Sequence, residues 1–232
     1  MTRKVVALIP ARGGSEGIPR KNLAKVGGIT LVERAIRSAD ECPHVSSVFV
    51  SSDEQAILDL AQLSGANSIR RPAEFSSGTA RAEAVVQHFL EETPGQDLAE
   101  SDVIIYLQPT SPFRSNYHVT ASLEAMFAAQ TDSLVSVKET SEHPAKVVVA
   151  GDDGLVQPAP YGGDSTANRQ ELPRLHYPNG AIYAFTIASF LREGKIPIFG
   201  ALAFIMSSHD SLDIDNHDDL LLAQAVAHYD NL

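Results

Sequence analysis

Short runs of β-branched and aliphatic residues alternate along this chain with amphipathic stretches of helical period, and the central runs are apolar at every position. Val103-Ile104-Ile105-Tyr106-Leu107 is the clearest of them. A strand with one wet face alternates polar and apolar side chains, so a run with no polar face must be covered on both sides, as parallel strands between helical layers are. The pattern predicts strand 4–9, helix 30–41, strand 45–51, helix 54–64, strand 67–70, helix 80–92, strand 103–108, helix 116–129 and strand 133–138. Repeated βα of this kind gives an α/β, Rossmann-like, doubly wound and mostly parallel sheet, with ligands gathered beyond the carboxyl ends of its strands. At 232 residues the chain can bury one large core, so residues 1–232 are expected to form a single domain. From about 140 to 185 the pattern breaks into short strands and Gly/Pro/Asp turns, including Gly151-Asp152-Asp153-Gly154. A stretch that long without regular structure of its own usually serves binding or assembly, and it reads as an inserted arm.

The first apolar run, Val5–Ile9, empties into Pro10-Ala11-Arg12-Gly13-Gly14-Ser15-Glu16-Gly17-Ile18-Pro19-Arg20-Lys21-Asn22. Glycines let backbone N–H groups approach a ligand closely, and Arg12, Arg20 and Lys21 supply charge for phosphate oxygens. The spacing is neither a dinucleotide fingerprint nor a P-loop. The formal charge of −11 argues against a nucleic-acid partner and would repel anionic ligands globally, so an anionic substrate needs local help. The clusters Arg12/Arg20/Lys21/Lys25 and Arg70/Arg71/Arg81 provide it. Cys42 stands alone, which excludes an intramolecular disulfide and a Cys-pair zinc site and fits a reducing compartment. The apolar run before Pro10 is too short for the roughly 7–15 residue core of a signal peptide, and no run approaches the ~20 residues of a membrane span. A cytoplasmic protein without membrane contact is the expectation.

Further segments carry chemistry. Arg71-Pro72-Ala73-Glu74 follows the third strand. Gln108-Pro109-Thr110-Ser111-Pro112-Phe113-Arg114 ends a central strand, because Pro109 has no N–H for the ladder, and presents neutral hydrogen-bonding groups at its carboxyl edge. Lys146 and Arg169 bring cations outside the main sheet, and Tyr177-Pro178-Asn179-Gly180-Ala181-Ile182-Tyr183 reads as a turn leading into a strand. In Ser211-Leu212-Asp213-Ile214-Asp215 an extended backbone would point both carboxylates to one face and Leu212 and Ile214 to the core. Two carboxylates side by side repel unless a divalent cation relieves them. Asp218 and Asp219 fit the first turn of a terminal amphipathic helix.

The glycine-rich loop resembles the R-x-G-S-x-G-x-P-x-K-N signature of the CMP-sialic acid synthetases, or acylneuraminate cytidylyltransferases. The R-P-x-E, Q-P-T-S-P-x-R, N-G-A-I-Y and S-x-D-I-D blocks follow in that family's order over nearly the whole chain. The resemblance implies a CTP-dependent cytidylyltransferase forming a CMP-nonulosonic acid. It implies nucleotide contacts from Ala11, Arg12, Gly13, Ser15, Lys21, Asn22 and Arg71, and sugar contacts from Gln108, Lys146, Arg169, Tyr177, Asn179 and Tyr183. Asp213 and Asp215 would hold Mg²⁺ or Mn²⁺, Arg12, Lys21 and Asp215 would be catalytic, and the 140–185 arm would build a homodimer. The chain departs from the pattern at Glu16, where many members carry Lys, and at Tyr177, where a basic residue is frequent. The competing readings are a nucleotidyltransferase for the sugar acid KDO or for a sugar 1-phosphate, and a non-catalytic nucleotide-binding regulator that would have no use for the paired carboxylates.

Overall fold

A computed structural model describes residues 3–14, 17–72, 75, 81–93, 98–159, 162, 166 and 168–231. In chain order the elements are β1 (Val5–Pro10), β2 (Lys25–Val26), β3 (Ile29–Thr30), α1 (Leu31–Asp40), β4 (Ser47–Ser52), α2 (Gln55–Leu63), β5 (Asn67–Arg70) and α3 (Ala82–Glu92). They continue with β6 (Val103–Tyr106), α4 (Asn116–Ala128), β7 (Ser133–Glu139), β8 (Val148–Ala150), β9 (Val156–Pro158), β10 (His176–Thr186), α5 (Ile187–Glu193), β11 (Leu202–Ile205) and α6 (His217–Tyr229). The main sheet has seven strands in the order β11-β7-β10-β6-β1-β4-β5. β1 pairs in parallel with both β4 and β6, β4 with β5, and β11 with β7, whereas β10 runs antiparallel between β6 and β7.

The absence of a polar face in the central runs has the expected consequence. Val5, Ala7 and Ile9 pack on one side of β1 with Val32, Ala35 and Ile36 of α1 and Val119 and Leu123 of α4. Val6 and Leu8 pack on the other with Val85, Val86 and Phe89 of α3 and Phe190 of α5. Each buried Leu, Ile or Phe contributes roughly 1.5–3 kcal/mol by leaving water, so the doubly covered sheet is the dominant stabilising element. A capping box starts α1: the Glu33 N–H donates to Thr30 Oγ1 and the Thr30 N–H donates to Glu33 Oε2.

Successive strands proceed from β1 outward through β4 to β5, and the chain then crosses to the opposite side of β1 for β6. The crevice between the carboxyl ends of β1 and β6 is therefore the topological switch point, where open α/β sheets hold ligands. Within the 140–185 stretch the structure has two parts. Residues 148–158 form the separate β8–β9 hairpin, but residues from His176 onward rejoin the main sheet as β10. Its register shifts between Pro178 and Tyr183, and Gly180 has φ +79°. The Asn-Gly signal marks that irregularity inside a strand rather than a reversal of the chain.

Candidate active site

A cleft of about 290 Å³ opens at the switch point, lined by Pro10, Arg12, Lys21, Asn22, Arg71, Ala82, Val85, Tyr106, Gln108, Pro109, Thr110, Asp213 and Asp215. Cations stand on the β1 and β5 side, neutral hydrogen-bonding groups at the end of β6, and two carboxylates on the segment that enters α6.

The glycine-rich loop is folded by its own polar groups. The Gly13 N–H donates to Asp53 Oδ1 at 2.9 Å, and Asn22 Nδ2 donates to the Arg12 carbonyl at 2.8 Å. Arg20 takes a left-handed backbone with φ 53° and pairs its guanidinium with Glu54 at 2.8 Å on the outside of the loop. The Ala11 N–H donates to the Ser51 carbonyl and its side chain is fully buried. The Ala11 N–H and one N–H of the Asn22 amide thus brace the loop, and Asn22 lines the cleft together with Arg12 and Lys21. Ser15, Glu16 and Glu74, singled out in the sequence, lie outside the described residues.

Arg71 is 5 % exposed, yet its guanidinium still borders the cleft. Its Nη2 donates to the Ser51 carbonyl at 2.6 Å and its Nε to Ser51 Oγ at 3.1 Å. Burial lowers the guanidinium's pKa, against the opposing effect of Tyr106 and Asp53. Asp53 and Ser51 were not anticipated as site-builders, although Ser51-Ser52-Asp53 is a polar run at a strand's carboxyl end, the place where a ligand loop would need support.

On the opposite wall the backbone of Ile214 is gripped at both ends. Its N–H donates to the Thr110 carbonyl at 2.9 Å, and its carbonyl accepts from Lys21 Nζ at 2.7 Å. The Asp215 and Asn216 N–H groups both donate to Asp219 Oδ2, while Asn216 Oδ1 accepts from the Asp219 N–H and starts α6. This backbone is extended as expected: Ile214 is fully buried, and Asp213 and Asp215 both face the cleft. Gly17 packs against it so closely that a Cβ there would lie 2.6 Å from the Asp215 carbonyl oxygen. Lys21 Nζ also approaches Asp215 Oδ1 at 3.4 Å. Asp213 Oδ1 is buried without a hydrogen-bond partner. Burial raises the Asp213 pKa and the neighbouring Asp215 raises it further, while Thr110 and Lys21 oppose both.

The acceptor-side residues divide. Gln108 lines the cleft, and Gly180 is what makes room for it, since a Cβ at that position would sit 2.8 Å from Gln108 Oε1. Tyr183 packs edge-on to Tyr106 at 6.4 Å between centroids, its phenol pKa raised by burial and by Asp213. Asn179 is not among the residues that line the cleft. Its Oδ1 accepts from Ser136 Oγ and from the Ala181 N–H, and its Nδ2 donates to Ser211 Oγ at 2.7 Å. At 4 % exposure the amide ties β10 to β7 and to the segment before Asp213. Tyr177 lies opposite Lys138 in the register, with the Lys138 ammonium 5.1 Å from the ring centroid. Lys146 is exposed in the turn Pro144–Lys146 and Arg169 stands in the turn Arg169–Glu171. Lys146 is not among the residues that line the cleft.

Arg114 is the functional residue the sequence reading passed over. Its Nη1 donates to the Gln108 carbonyl at 2.7 Å and to the Ala181 carbonyl at 3.0 Å, fixing the end of β6 against β10. Burial pushes its pKa down to about 9, which leaves it charged at neutral pH. Gly180→Ala tests the same junction. Combining a positive φ with the contact to Gln108, it should lower the unfolding free energy by about 1–3 kcal/mol in denaturant titration, and an unchanged midpoint would deny the constraint.

Residues 6–156 match the family model described as cytidylyltransferase. The chain is 30 % identical over 220 residues to the N-acylneuraminate cytidylyltransferase of Streptococcus agalactiae serotype V, covering 94 % of this chain and 52 % of that one. It therefore spans about half the length of that relative. It is 24 % identical to the post-translational flagellin modification protein B of Campylobacter coli, covering 99 % of this chain and 97 % of that one. Among solved structures, CMP:2-keto-3-deoxy-manno-octonic acid synthetase complexed with CTP superposes with a TM-score of 0.69 at 20 % identity, covering 98 % of this chain and 99 % of that one, a likeness of fold.

Proposed function

We propose, from the premise that this chain belongs to the cytidylyltransferase family, that it transfers a cytidylyl group from CTP to a nonulosonic acid, sialic acid or a legionaminic-type relative. The observation that carries this reading is the facing of Arg12, Lys21 and Arg71 against Asp213 and Asp215 across one cleft, with Gln108 and Thr110 between them. The acceptor's anomeric oxygen attacks the α-phosphorus in line. A new O–P bond forms as the bond to the pyrophosphate oxygen breaks, and the hydroxyl proton passes to water.

Positioning and charge neutralisation suffice for such a transfer. Arg12 and Lys21 neutralise the triphosphate, and Arg71, rooted on Ser51, holds the nucleotide. Gln108, set by Arg114 and Gly180, meets the acceptor. Lys21 has a second task, because its bond to the Ile214 carbonyl couples the phosphate loop to the acidic segment. Asp213 and Asp215 are the residues that would hold Mg²⁺, or Mn²⁺ in its place, and the orphaned Asp213 Oδ1 fits that assignment. When bound, the ion supplies charge compensation on phosphate oxygens and acidifies a hydroxyl. Among the described residues no group of three or more His, Cys, Asp or Glu forms a ready cage. That matches the habit of Mg²⁺ to take one or two carboxylates and complete its shell with water and substrate phosphates.

Incubation with CTP, Mg²⁺ and a panel of nonulosonic acids, with KDO and a sugar 1-phosphate as competing acceptors and pyrophosphate followed over time, tests the reading. Turnover is expected with a nine-carbon acceptor. Turnover with KDO or a sugar 1-phosphate alone would replace the acceptor, and CTP binding without turnover would mark a regulator.

The working unit is a homodimer in the cytoplasm. Val147, Val148, Val149, Leu155 and Val156 of the arm are all 47 % or more exposed, an apolar surface that a second copy would cover, and Lys146 stands beside it. Among the described residues no helix is long and apolar enough to cross a membrane. Sedimentation equilibrium should return twice the chain mass, and a monomer at assay concentration would refute the assembly.

A further inference from the structure

We propose that a second cavity, of about 430 Å³, between α1, the start of α4 and the segment ahead of Asp213, is a binding site for a phosphate group, either free phosphate or the phosphate of a small ester. Nothing in the transfer reaction uses it. Its walls bring together Arg34, Arg37 and Arg114, beside Phe113, His118 and His209, in a chain whose formal charge is −11.

Charge accounting favours an anion there. Arg34 and Arg37 are one turn apart on α1, and burial together with the nearby Arg37 charge lowers the Arg34 pKa. Arg114 is 3 % exposed, and its hydrogen bonds go to the carbonyls of Gln108 and Ala181 and to Ser38 Oγ. Among the described residues no carboxylate forms an ion pair with it, and a buried guanidinium without a counter-charge is costly unless an anion reaches it. Two acidic residues share the lining. Asp210 is already engaged by Ser207 Oγ at 2.6 Å, by His209 Nδ1 at 3.2 Å and by His118 Nε2 at 3.5 Å, and Glu41 is exposed at the end of α1. Several guanidinium forks around a cavity of this size suit a tetrahedral oxyanion, with three or more acceptor oxygens, better than a lone carboxylate.

The same walls brace the active-site cleft. Arg114 holds the carbonyl of Gln108, and Asp210 lies three residues before Asp213 on the segment that carries both acidic side chains. An anion drawn against Arg114, whose neighbour His118 is held on Asp210, would thus bias the two elements that set the acceptor end and the acidic wall, giving the cavity a route to regulation.

Isothermal titration with inorganic phosphate and, separately, with a hexose phosphate tests the site without reference to turnover. Wild type and Lys21→Ala should bind alike, and Arg37→Gln and Arg34→Gln should bind at least about tenfold more weakly. Arg34 also donates to the Val26 carbonyl, so Arg37→Gln, at an exposed position, guards against a folding artefact. Equal affinity for the two anions identifies free phosphate as sufficient, and a tighter ester identifies a phosphorylated metabolite. The proposal is overturned if wild type shows no saturable binding. It is equally overturned if Lys21→Ala abolishes binding that both arginine variants retain, since the anion would then be in the cleft.

Discussion

Asp213→Asn is expected to lower kcat by about two or more orders of magnitude while leaving the unliganded protein at least as stable as wild type. Losing a charge that opposes phosphate charge in a nucleotidyl transfer commonly costs several kcal/mol of transition-state stabilisation. The stability half follows from the site itself. Asparagine keeps a polar atom at the buried Oδ1 position but removes the negative charge that burial and Asp215 both disfavour. Because folding raises the Asp213 pKa, the carboxyl's favourable contribution is complete below the unfolded value and is lost as pH rises through the folded one. At neutral pH the ionised group therefore works against folding until a cation joins it. Mg²⁺ should raise the thermal midpoint of wild type by mass action and leave that of Asp213→Asn unmoved. Asp215→Asn should share the kinetic loss, because Lys21 relieves Asp215 in the free protein but must also serve the triphosphate. Full turnover in excess chelator, or wild-type kcat in either variant, would remove the acidic pair from the chemistry.

Burial on both faces made the parallel half of the sheet readable from the chain alone. Strand 67–70 was placed at its observed bounds, and the helices at 30–41, 54–64 and 116–129 were placed to within a residue or so. What escaped was long-range pairing. β10 is interrupted by Pro178 and by the left-handed Gly180, so its local sequence spells a turn, and only its partners on β6 and β7 make it a strand. Asn179 illustrates the same limit within the site. Its type and position suit a sugar contact, but Ser136 and Ser211, far along the chain in opposite directions, occupy its amide. The role of Arg114 is hidden in the sequence for the same reason, since neither carbonyl it holds can be inferred from spacing. The face shared by Asp213 and Asp215, by contrast, depends only on the two-residue period of an extended backbone, and that was legible.

Lys21→Ala should reduce kcat/KM for CTP by about a hundredfold or more, with cooperative unfolding retained and stability lowered by about 1 kcal/mol. The two magnitudes differ because the ammonium acts on different partners in the two experiments. In the free protein it makes one close bond, to the Ile214 carbonyl at 2.7 Å, and a longer approach to the largely exposed Asp215 carboxylate. A single hydrogen bond of this kind contributes about 0.5–1.5 kcal/mol net, and an exposed ion pair adds little to it. The Thr110 carbonyl still holds the Ile214 N–H, and Asp219 still holds the Asp215 N–H, so the acidic segment keeps its path without the amine. With CTP in the cleft the same ammonium neutralises phosphate charge that grows during transfer and keeps the glycine-rich loop closed on Asp215. Both effects matter most in the transition state. Lys21→Arg separates them: it retains the charge, but a planar fork cannot replace a compact amine seated on one carbonyl, so it should recover CTP binding better than kcat. A Lys21→Ala enzyme that turns over CTP normally would show that the loop is only a connection between β1 and α1.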